Sequence, residues 1–234
     1  MTDSLAIIPA RGGSKRIPGK NLREFAGHPV ICHAIETALE SGCFGEVMVS
    51  TDCPKIAAVA EKAGAKIPFF RNAETSGDHA TTMDVIREVV GCYEQSGCFF
   101  ETGCCIYPVT PFLRAGRLRE AMALLGGENP PDTVFAALRY PHPIQRAFVV
   151  GRGRIHLLFP EHVQTRTQDL VPAFHDAAQF YAFRTRPVLA RGSLLGPESS
   201  ALVLSSDEAH DIDTPEDWAE AELKYRLLQE NTRG

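Results

Sequence analysis

The segment IIPARGGSKRIPGKNL, residues 7–22, places four cations and three glycines directly behind a short apolar run. Glycines leave backbone N–H groups open to a ligand, and lysine and arginine heads bind phosphate oxygens. The segment therefore predicts a pocket for a polyphosphate. An isolated basic cluster is more often a solvated turn, but this one follows the first predicted strand of an α/β sheet, where loops face the ligand crevice.

The familiar phosphate-binding motifs do not fit this loop. In a Walker A motif four residues separate the glycines, and Ser or Thr follows the lysine. Here five residues lie between Gly13 and Gly19, and Asn21 follows Lys20. Pro18 has no N–H to donate, and no GxGxxG opens the first helix as a Rossmann fingerprint requires. The loop is predicted to bind phosphate in another way.

A pair of acids far along the chain is the second group suited to chemistry. Asp211 and Asp213 stand two residues apart, so in an extended segment both carboxylates point to one side and Ile212 to the other. Mg²⁺ prefers oxygen ligands and is typically held by one or two carboxylates together with substrate phosphates. The alternative is that Asp213 caps the helix that follows and Asp211 is solvated.

Short apolar strands alternate with amphipathic helices over the first half of the chain. This alternation predicts an α/β fold: a mainly parallel sheet with helices on both faces and ligands at the carboxyl ends of the strands. The predicted strands are LAIIP, EVMVST, the weaker AKIPFF, and CCIYPV. The predicted helices are PVICHAIETALESG, PKIAAVAEKAG, TTMDVIREVVGCYEQSG and RAGRLREAMALLGG.

The pattern changes after the two prolines at 130–131. TVFAALRY, RAFVVGRG, RIHLLF and QFYAFRT are strand-like without comparable helices between them, and they predict antiparallel or mixed strands. DTPEDWAEAELKYRLLQE predicts a closing amphipathic helix with Asp213 or Thr214 as its N-cap. We expect one domain over residues 1–234, with a strand-rich insert at about 133–183.

Composition limits the kinds of protein that this chain can be. Of 234 residues, 44% are hydrophobic and 23% charged, as in ordinary globular proteins, and the net charge of −5 argues against nucleic-acid binding. No apolar run reaches the roughly 18 residues that span a bilayer, and MTDSLAIIPAR lacks the pattern of a secretory signal, so we expect a cytoplasmic protein without a membrane partner. The seven cysteines lack CxxC spacing, which argues against a zinc site and favours reduced thiols.

The spacing within PARGGSKRIPGKN closely resembles PAR-x-GSK-x-(I/L)-P-x-KN, the signature of the CMP-sialic acid synthetase family of cytidylyltransferases. The resemblance implies a Rossmann-like nucleotidyltransferase sandwich in which Arg11, Lys15 and Lys20 hold the CTP triphosphate and Asn21 contacts the nucleoside. Fixed cations suit this chemistry, because negative charge grows on pyrophosphate as it leaves. The remaining nucleotide-binding candidates of the motif are Ala10, Gly12, Gly13 and Ser14.

Two further segments are similar to this family. FFRNAETSGDHATT resembles the part that recognises cytosine, which implies base-reading roles for Arg71, Ala80 and Thr82. YPVTPFLR stands in the place of the family's QPTSPLR, and Tyr107 replaces the glutamine that is common in neuraminate-specific members. That replacement argues against neuraminate as the sugar.

RTQDLVPAFHDAAQFYAF, residues 166–183, resembles the RTQDL-x-x-A(F/Y)HDAGQFYW block of pseudaminic acid cytidylyltransferases rather than the block of neuraminate enzymes. The implied sugar is pseudaminic acid. Ala178 and Ala182 replace a glycine and a tryptophan of that block. The guanidinium fork of Arg166 suits the substrate carboxylate. The substrate-binding candidates are Tyr107, Arg166, Gln168, His175, Asp176, Gln179 and Tyr181.

His175 and Asp176 are adjacent, which invites comparison with a general acid–base pair. Neighbouring residues of a strand point to opposite faces, so the two side chains cannot form a dyad with each other. They are interpreted as polar groups of the sugar pocket, with a structural role for the histidine as the alternative.

The resemblance and the acid pair together imply one reaction. CTP and Mg²⁺ bind, the anomeric hydroxyl of a nine-carbon keto sugar acid attacks the α-phosphorus in line, and CMP-sugar and pyrophosphate leave. The implied catalytic residues are Arg11, Lys20, Asp211 and Asp213, and the two aspartates carry the metal. In the resembling family an insert such as 133–183 pairs two subunits, so a homodimer is expected. The alternatives are the same reaction on N-acetylneuraminic or legionaminic acid, and a non-catalytic nucleotide-binding regulatory protein.

Overall fold

A computed structural model describes residues 3–233, with side chains through residue 230. The strands are β1 Ser4–Pro9, β2 Glu24–Phe25, β3 His28–Pro29, β4 Glu46–Ser50, β5 Thr102–Ile106, β6 Thr133–Arg139, β7 Phe148–Gly151, β8 Arg154–Leu157, β9 Phe174–Arg184 and β10 Ser199–Val203. The α-helices are α1 Val30–Ser41, α2 Pro54–Lys62, α3 Ala73–Ser76, α4 Thr82–Gln95, α5 Ala115–Leu124, α6 Thr185–Arg191 and α7 Pro215–Arg233. Short 3₁₀ turns lie at Lys20–Leu22, Ile144–Arg146, Pro160–His162 and Thr167–Asp169.

Six strands within residues 3–233 form the central sheet, in the order β10-β6-β9-β5-β1-β4. β1 pairs in parallel with β4 and β5, and β10 pairs in parallel with β6. β9 runs antiparallel to both of its neighbours, β5 and β6. The sheet is therefore mainly parallel, as the sequence predicts. Because the chain passes from β4 to the far side of β1, a crevice opens between the carboxyl ends of β1 and β5.

β1 is buried on both faces, which explains its continuous apolar run. Ala6 and Ile8 pack into the cluster beneath α1 and α5, while Leu5 and Ile7 pack into the cluster beneath α4. All four side chains are at most 1% exposed. Full burial of a leucine or isoleucine side chain, as at Leu5, Ile7 and Ile8, stabilises the fold by about 1.5–3 kcal/mol. The strand thereby fixes the start of the basic loop at the crevice.

Most predicted elements form where the periodicity places them, but the predicted strand AKIPFF is wrong. Only Lys66 pairs there, as an isolated parallel bridge to Met48. Its N–H donates to Val47 and its carbonyl accepts from Val49. Pro68 follows two residues later and has no N–H with which to extend the ladder. The sequence also gave no sign of the short edge strand β10.

The predicted strand-rich insert leaves the sheet over a shorter stretch than 133–183. β6 and β9, at its two ends, are members of the central sheet, where β9 supplies the expected antiparallel strand. Residues 140–173 between them carry the separate hairpin of β7 and β8. Strand-like periodicity identifies strands without revealing which sheet they join, so the sequence could not separate these two groups.

An aromatic cluster joins the basic loop to the acidic segment near the other end of the chain. Trp218 of α7 meets Phe25 edge to face at 5.6 Å between ring centroids, and both side chains are at most 1% exposed. Ile17 of the loop and Ile212 of the acidic segment belong to the same cluster. Burial of these apolar groups brings the two segments together across almost the whole length of the chain.

Within the described residues all cysteines are free, and burial raises the pKa of the Cys105 thiol to about 12, which makes it unreactive. No helix in residues 3–233 combines the length and apolar character that crossing a bilayer demands.

Candidate functional site

The basic loop is held open at the carboxyl end of β1 by a few specific contacts. The N–H of Gly12 donates to Asp52 Oδ1 at 2.8 Å, and the buried amide of Asn21 donates from Nδ2 to the carbonyl of Arg11 at 3.0 Å. Gly19 takes a left-handed conformation with φ of 64°, which glycine adopts without strain. These contacts shape a cleft of about 220 Å³. Its lining residues are Pro9, Arg11, Ser14, Lys15, Arg16, Lys20, Asn21 and Pro108.

Asp213 is paired with two cations of the basic loop. Arg16 Nη1 donates to Asp213 Oδ2 at 2.6 Å, and Lys20 Nζ donates to Oδ1 at 3.4 Å. The partners are 197 and 193 residues apart in the chain. The fold therefore brings Asp213 of the acidic pair to the basic loop.

The other two cations of the loop pair with an acid on a different segment. Arg11 Nη1 donates to Asp78 Oδ1 at 2.8 Å, and Lys15 Nζ donates to Asp78 Oδ2. The lysine and then the arginine hold the pKa of the Asp78 carboxyl below its usual range. Asp78 lies within the segment that resembles a cytosine-recognition region, so the ion pairs join that segment to the basic loop.

The acid pair has the donor chemistry of a divalent-cation site. Asp211 and Asp213 flank Ile212, which is 1% exposed, so the two carboxylates lie on the side opposite the core. The pKa of Asp211 is raised, first because burial disfavours the charged carboxylate and next because the negative charge of Asp213 repels it. A hard cation relieves that repulsion. Residues 3–233 hold no cluster of three or more metal-ligating side chains, so further ligands would come from phosphate and water.

Asp213 does not cap the closing helix, contrary to the alternative interpretation. Thr214 is the N-cap: its Oγ1 accepts from the N–H of Asp217, and the Asp217 carboxylate accepts from the N–H of Thr214 at 2.7 Å. That carboxylate also accepts from the N–H of Asp213 at 3.0 Å. The cap fixes the backbone of Asp213 and leaves its carboxylate directed at the loop.

The three base-reading candidates lie in different surroundings. Arg71 is 7% exposed, and its guanidinium donates to the Ser50 hydroxyl and carbonyl at 2.9 and 2.6 Å, at the carboxyl end of β4. Burial lowers its pKa. Ala80 is half-buried in the turn before α4. Thr82, at the start of α4, lies 3.0 Å from the Tyr107 hydroxyl.

Tyr107, Tyr181 and Asp176 form a chain of polar contacts that continues from Thr82. The rings of Tyr107 and Tyr181 meet edge to face at 5.6 Å, and burial raises the pKa of both hydroxyls. Tyr181 donates to Asp176 Oδ2 at 2.5 Å, and Ala178 N–H donates to Oδ1 at 2.8 Å. These contacts connect Asp176 and Tyr181, the substrate-binding candidates on β9, to Thr82, the base-reading candidate on α4.

Two further candidates on β9 are held by backbone contacts. His175 Nδ1 lies 2.9 Å from the backbone carbonyl oxygen of Asp176. Gln179 is 1% exposed and donates from Nε2 to the Ala177 carbonyl at 2.9 Å. Its Oε1 is buried without a protein partner in the described part of the chain, which leaves an acceptor for another group.

Arg166 and Gln168 lie apart from the cleft, on the surface of the insert. Arg166 is 73% exposed in its side chain and pairs with Asp169 in its own turn at 2.7 Å. Neither residue is among those that line the cleft. Within one chain, the structure does not bring these two candidates to the other site residues.

Sequence reasoning missed three charged residues of the site. Arg16 occupies an unspecified position of the signature, and Asp78 and Asp52 gave no local signal because their partners lie 63 to 67 and 40 residues away. It also missed Glu208, which is 4% exposed and braces the loop before Asp211 through a two-pronged bond to Arg117, with both N–O distances 2.8 Å.

Comparison with known proteins agrees with this geometry. The chain is 38% identical over 229 residues to a pseudaminic acid cytidylyltransferase of Campylobacter jejuni, covering 97% of this chain and 98% of that one. It is 32% identical over 235 residues to a CMP-N,N'-diacetyllegionaminic acid synthase of Legionella pneumophila, covering 97% of each. A solved structure of CMP:2-keto-3-deoxy-manno-octonic acid synthetase complexed with CTP has a TM-score of 0.69 at 20% identity, over 97% of this chain and 99% of that one, which shows a shared fold. A sequence profile described as Cytidylyltransferase matches residues 5–139, and the chain therefore belongs to the cytidylyltransferase family.

Proposed function

We propose that this protein transfers CMP from CTP to the anomeric hydroxyl of pseudaminic acid in the cytoplasm, giving CMP-pseudaminic acid and pyrophosphate. The observation that carries the proposal is the convergence of four cations on a cleft at the carboxyl end of β1, with Asp213 paired to two of them, Arg16 and Lys20. A triphosphate needs such a concentration of positive charge, and this family uses CTP.

In the proposed complex, Arg11, Lys15 and Lys20 bind the triphosphate, aided by the backbone of the glycine-rich loop. The sugar hydroxyl oxygen attacks the α-phosphorus, the bond from that phosphorus to the bridging oxygen breaks, and pyrophosphate leaves. The hydroxyl proton passes to solvent water as the new bond forms. The loop cations stabilise the charge that develops on pyrophosphate, while the cleft supplies orientation. Asn21 supports the loop and Thr82 borders the nucleoside side.

Asp211 and Asp213 would hold Mg²⁺ together with phosphate oxygens. Bound there, the ion would neutralise phosphate charge and fix the geometry of the tail. The two carboxylates on one side of an extended segment fit this role, and Lys20 connects them to the loop.

The sugar is assigned from residues 166–183 and from Tyr107. The relative with 38% identity is named for pseudaminic acid, whereas the legionaminic relative has 32%. Asp176 and Tyr181 hold the Tyr107 side of the pocket in place, and Gln179 offers its free buried acceptor to the sugar. Legionaminic and N-acetylneuraminic acid are the competing substrates.

Mass spectrometry of products from CTP, Mg²⁺ and a panel of nine-carbon keto acids tests the proposal. We expect a CMP conjugate of pseudaminic acid, with pyrophosphate in equal amount, formed faster than any conjugate of legionaminic or N-acetylneuraminic acid. A faster reaction with either competitor would overturn the sugar assignment. Nucleotide binding by folded protein without turnover of any acid would instead favour a regulatory protein and refute the enzymatic proposal.

A homodimer is proposed through the hairpin of β7 and β8. Phe148 and Val150 lie on the same face as their cross-strand partners Leu157 and Ile155, and the four side chains are 40 to 71% exposed. Such an apolar face is typical of an interface. A second copy placed against it would bring the insert, with Arg166 and Gln168, alongside the neighbouring subunit.

Light scattering measures this association directly. We expect a dimer, and a shift toward monomer in Val150→Glu. Val203→Glu is the matched control, because Val203 is 47% exposed on β10 and outside the hairpin. A monomeric wild-type protein at micromolar concentration, or equal effects of the two variants, would contradict the proposed interface.

A further inference from the structure

Arg16 is the cation of the basic loop to which the sequence signature gives no role. Its Nη1 lies 2.6 Å from Asp213 Oδ2, while Lys20 reaches Oδ1 at 3.4 Å. The Arg16 side chain is 70% exposed and that of Lys20 is 19% exposed. The arginine head is therefore free to swing into the cleft that it lines, whereas the lysine is confined to the wall.

Both oxygens of Asp213 are thus engaged by loop cations. A carboxylate that is neutralised in this way attracts a divalent ion less strongly, and its Oδ2 has to leave Arg16 before it can coordinate. The phosphate tail of a nucleotide, in turn, needs Lys20 and attracts Arg16, the two cations that Asp213 holds. Each of the two ligands has to break the same ion pair.

Building on the proposed function, we infer that Arg16 is a positioning residue that couples nucleotide binding to divalent-ion binding through Asp213. In the free protein Arg16 holds Asp213. An arriving phosphate tail draws the guanidinium away, because phosphate offers bidentate acceptors and more charge. Asp213 Oδ2 is then available to the ion. One pair is broken for both ligands, so each ligand binds better in the presence of the other, by the same factor in both directions.

The size of the coupling follows from the exposure of the pair. Ion pairs at partly exposed positions contribute modestly, which corresponds to about a two- to five-fold change in an equilibrium constant. Arg16→Gln removes the pair, so the nucleotide-free variant should bind Mn²⁺ about two- to five-fold more tightly than the wild type. Mg²⁺ should then enhance CTP affinity less in the variant, by a similar factor.

The first measurement is Mn²⁺ binding to nucleotide-free protein, followed by the electron paramagnetic resonance signal of the free ion. Binding that is lost in Asp213→Asn defines the site. We expect tighter binding in Arg16→Gln and a value near the wild type in Arg16→Lys, which keeps the charge. Lys15→Gln is the matched control, because it removes one charge from the same loop but contacts Asp78 instead. Equal effects of Arg16→Gln and Lys15→Gln, or no Asp213-dependent binding in any variant, would overturn the inference.

The second measurement is CTP affinity by calorimetry with and without excess Mg²⁺, with no acceptor sugar present. For each protein we take the factor by which Mg²⁺ raises the affinity for CTP. The affinity of Mg²⁺ for free CTP contributes equally to both factors, so the difference between the two proteins reports only the coupling. A smaller factor in Arg16→Gln than in the wild type supports the inference, and an equal factor refutes it. Neither measurement involves turnover, so absence of CMP transfer would refute the proposed function while leaving this test decisive.

Discussion

Ala178 on β9 has a backbone conformation that alanine tolerates poorly, and replacing it should stabilise the protein. Its φ is 49°, in the left-handed region. β9 bulges here. Phe135 and Ala137 of β6 pair with Tyr181 and Asp176 of β9, so an advance of two residues along β6 corresponds to five residues along β9. The bulge imposes the conformation, and the related sequence block has glycine at this position.

The expected gain follows from two opposing terms. A residue with a Cβ in the left-handed region costs roughly 1–2 kcal/mol, whereas glycine loses about 0.5–1 kcal/mol more backbone entropy on folding than alanine. Ala178→Gly should therefore raise the free energy of unfolding by about 0.5–1 kcal/mol. That corresponds to about 1–4 °C in Tm for a chain of this size. The bond from residue 178 N–H to Asp176 is a backbone donation and survives the change.

Urea denaturation and thermal unfolding of the variant measure this difference. The matched control is Ala177→Gly, because Ala177 is 3% exposed and has no positive φ. Ala177→Gly should lower the free energy of unfolding by about 1 kcal/mol, because a buried methyl group is removed and the unfolded chain gains entropy. If Ala178→Gly were as destabilised as Ala177→Gly, the bulge would not strain the alanine and the reasoning would fail.

Three other substitutions test the packing and the brace of the site, each by urea denaturation. Gly103→Ala should lower the free energy of unfolding by about 1–3 kcal/mol, because its added Cβ would meet the Phe183 ring at 2.5 Å in the core. An unchanged free energy of unfolding would contradict the close packing of β5 on β9. Gly91→Ala, with open space around its Cβ within α4, should gain about 0.5–1 kcal/mol from helix propensity; a loss would show an unrecognised contact. Glu208→Gln should lose roughly 3 kcal/mol at pH 7, since Arg117 lowers the pKa of Glu208 from 4.5 to about 2. A depressed carboxyl pKa stabilises fully above pH 4.5 and ceases to do so as the pH falls through about 2, so the difference between wild type and variant should shrink to less than half at pH 3; a difference independent of pH would rule out the ion pair as its source.

The parts of the fold that depend on local sequence could be predicted, and those that depend on the order of strands could not. LAIIP, its basic loop and the closing helix are specified by nearby residues, and they form as expected. β9 lies between β5 and β6 because of long-range pairing that no local pattern encodes. For the same reason residues 133–183 appeared as one insert, although only 140–173 leave the sheet.

In the candidate site, too, the local features could be predicted and the long-range contacts could not. The cations of the loop and the spacing of Asp211 and Asp213 could be read from the sequence. The specific pairs were not visible, because Arg16 and Asp213 are brought together by the packing of Trp218 and Ile212 in one cluster with Ile17 of the loop. Charged residues give no periodic signal, so their partners emerge only from the folded chain.

The whole proposal depends on binding of the nucleotide's phosphate tail by the basic loop. Calorimetry of CTP and CMP binding, in the wild type and in Lys20→Gln, measures the contribution of that loop. We expect CTP to bind much more tightly than CMP to the wild type, and this preference to fall about ten-fold or more in the variant, as for the loss of one charge-assisted phosphate contact. Equal affinity for CTP and CMP in the wild type, or an undiminished preference in Lys20→Gln, would contradict it.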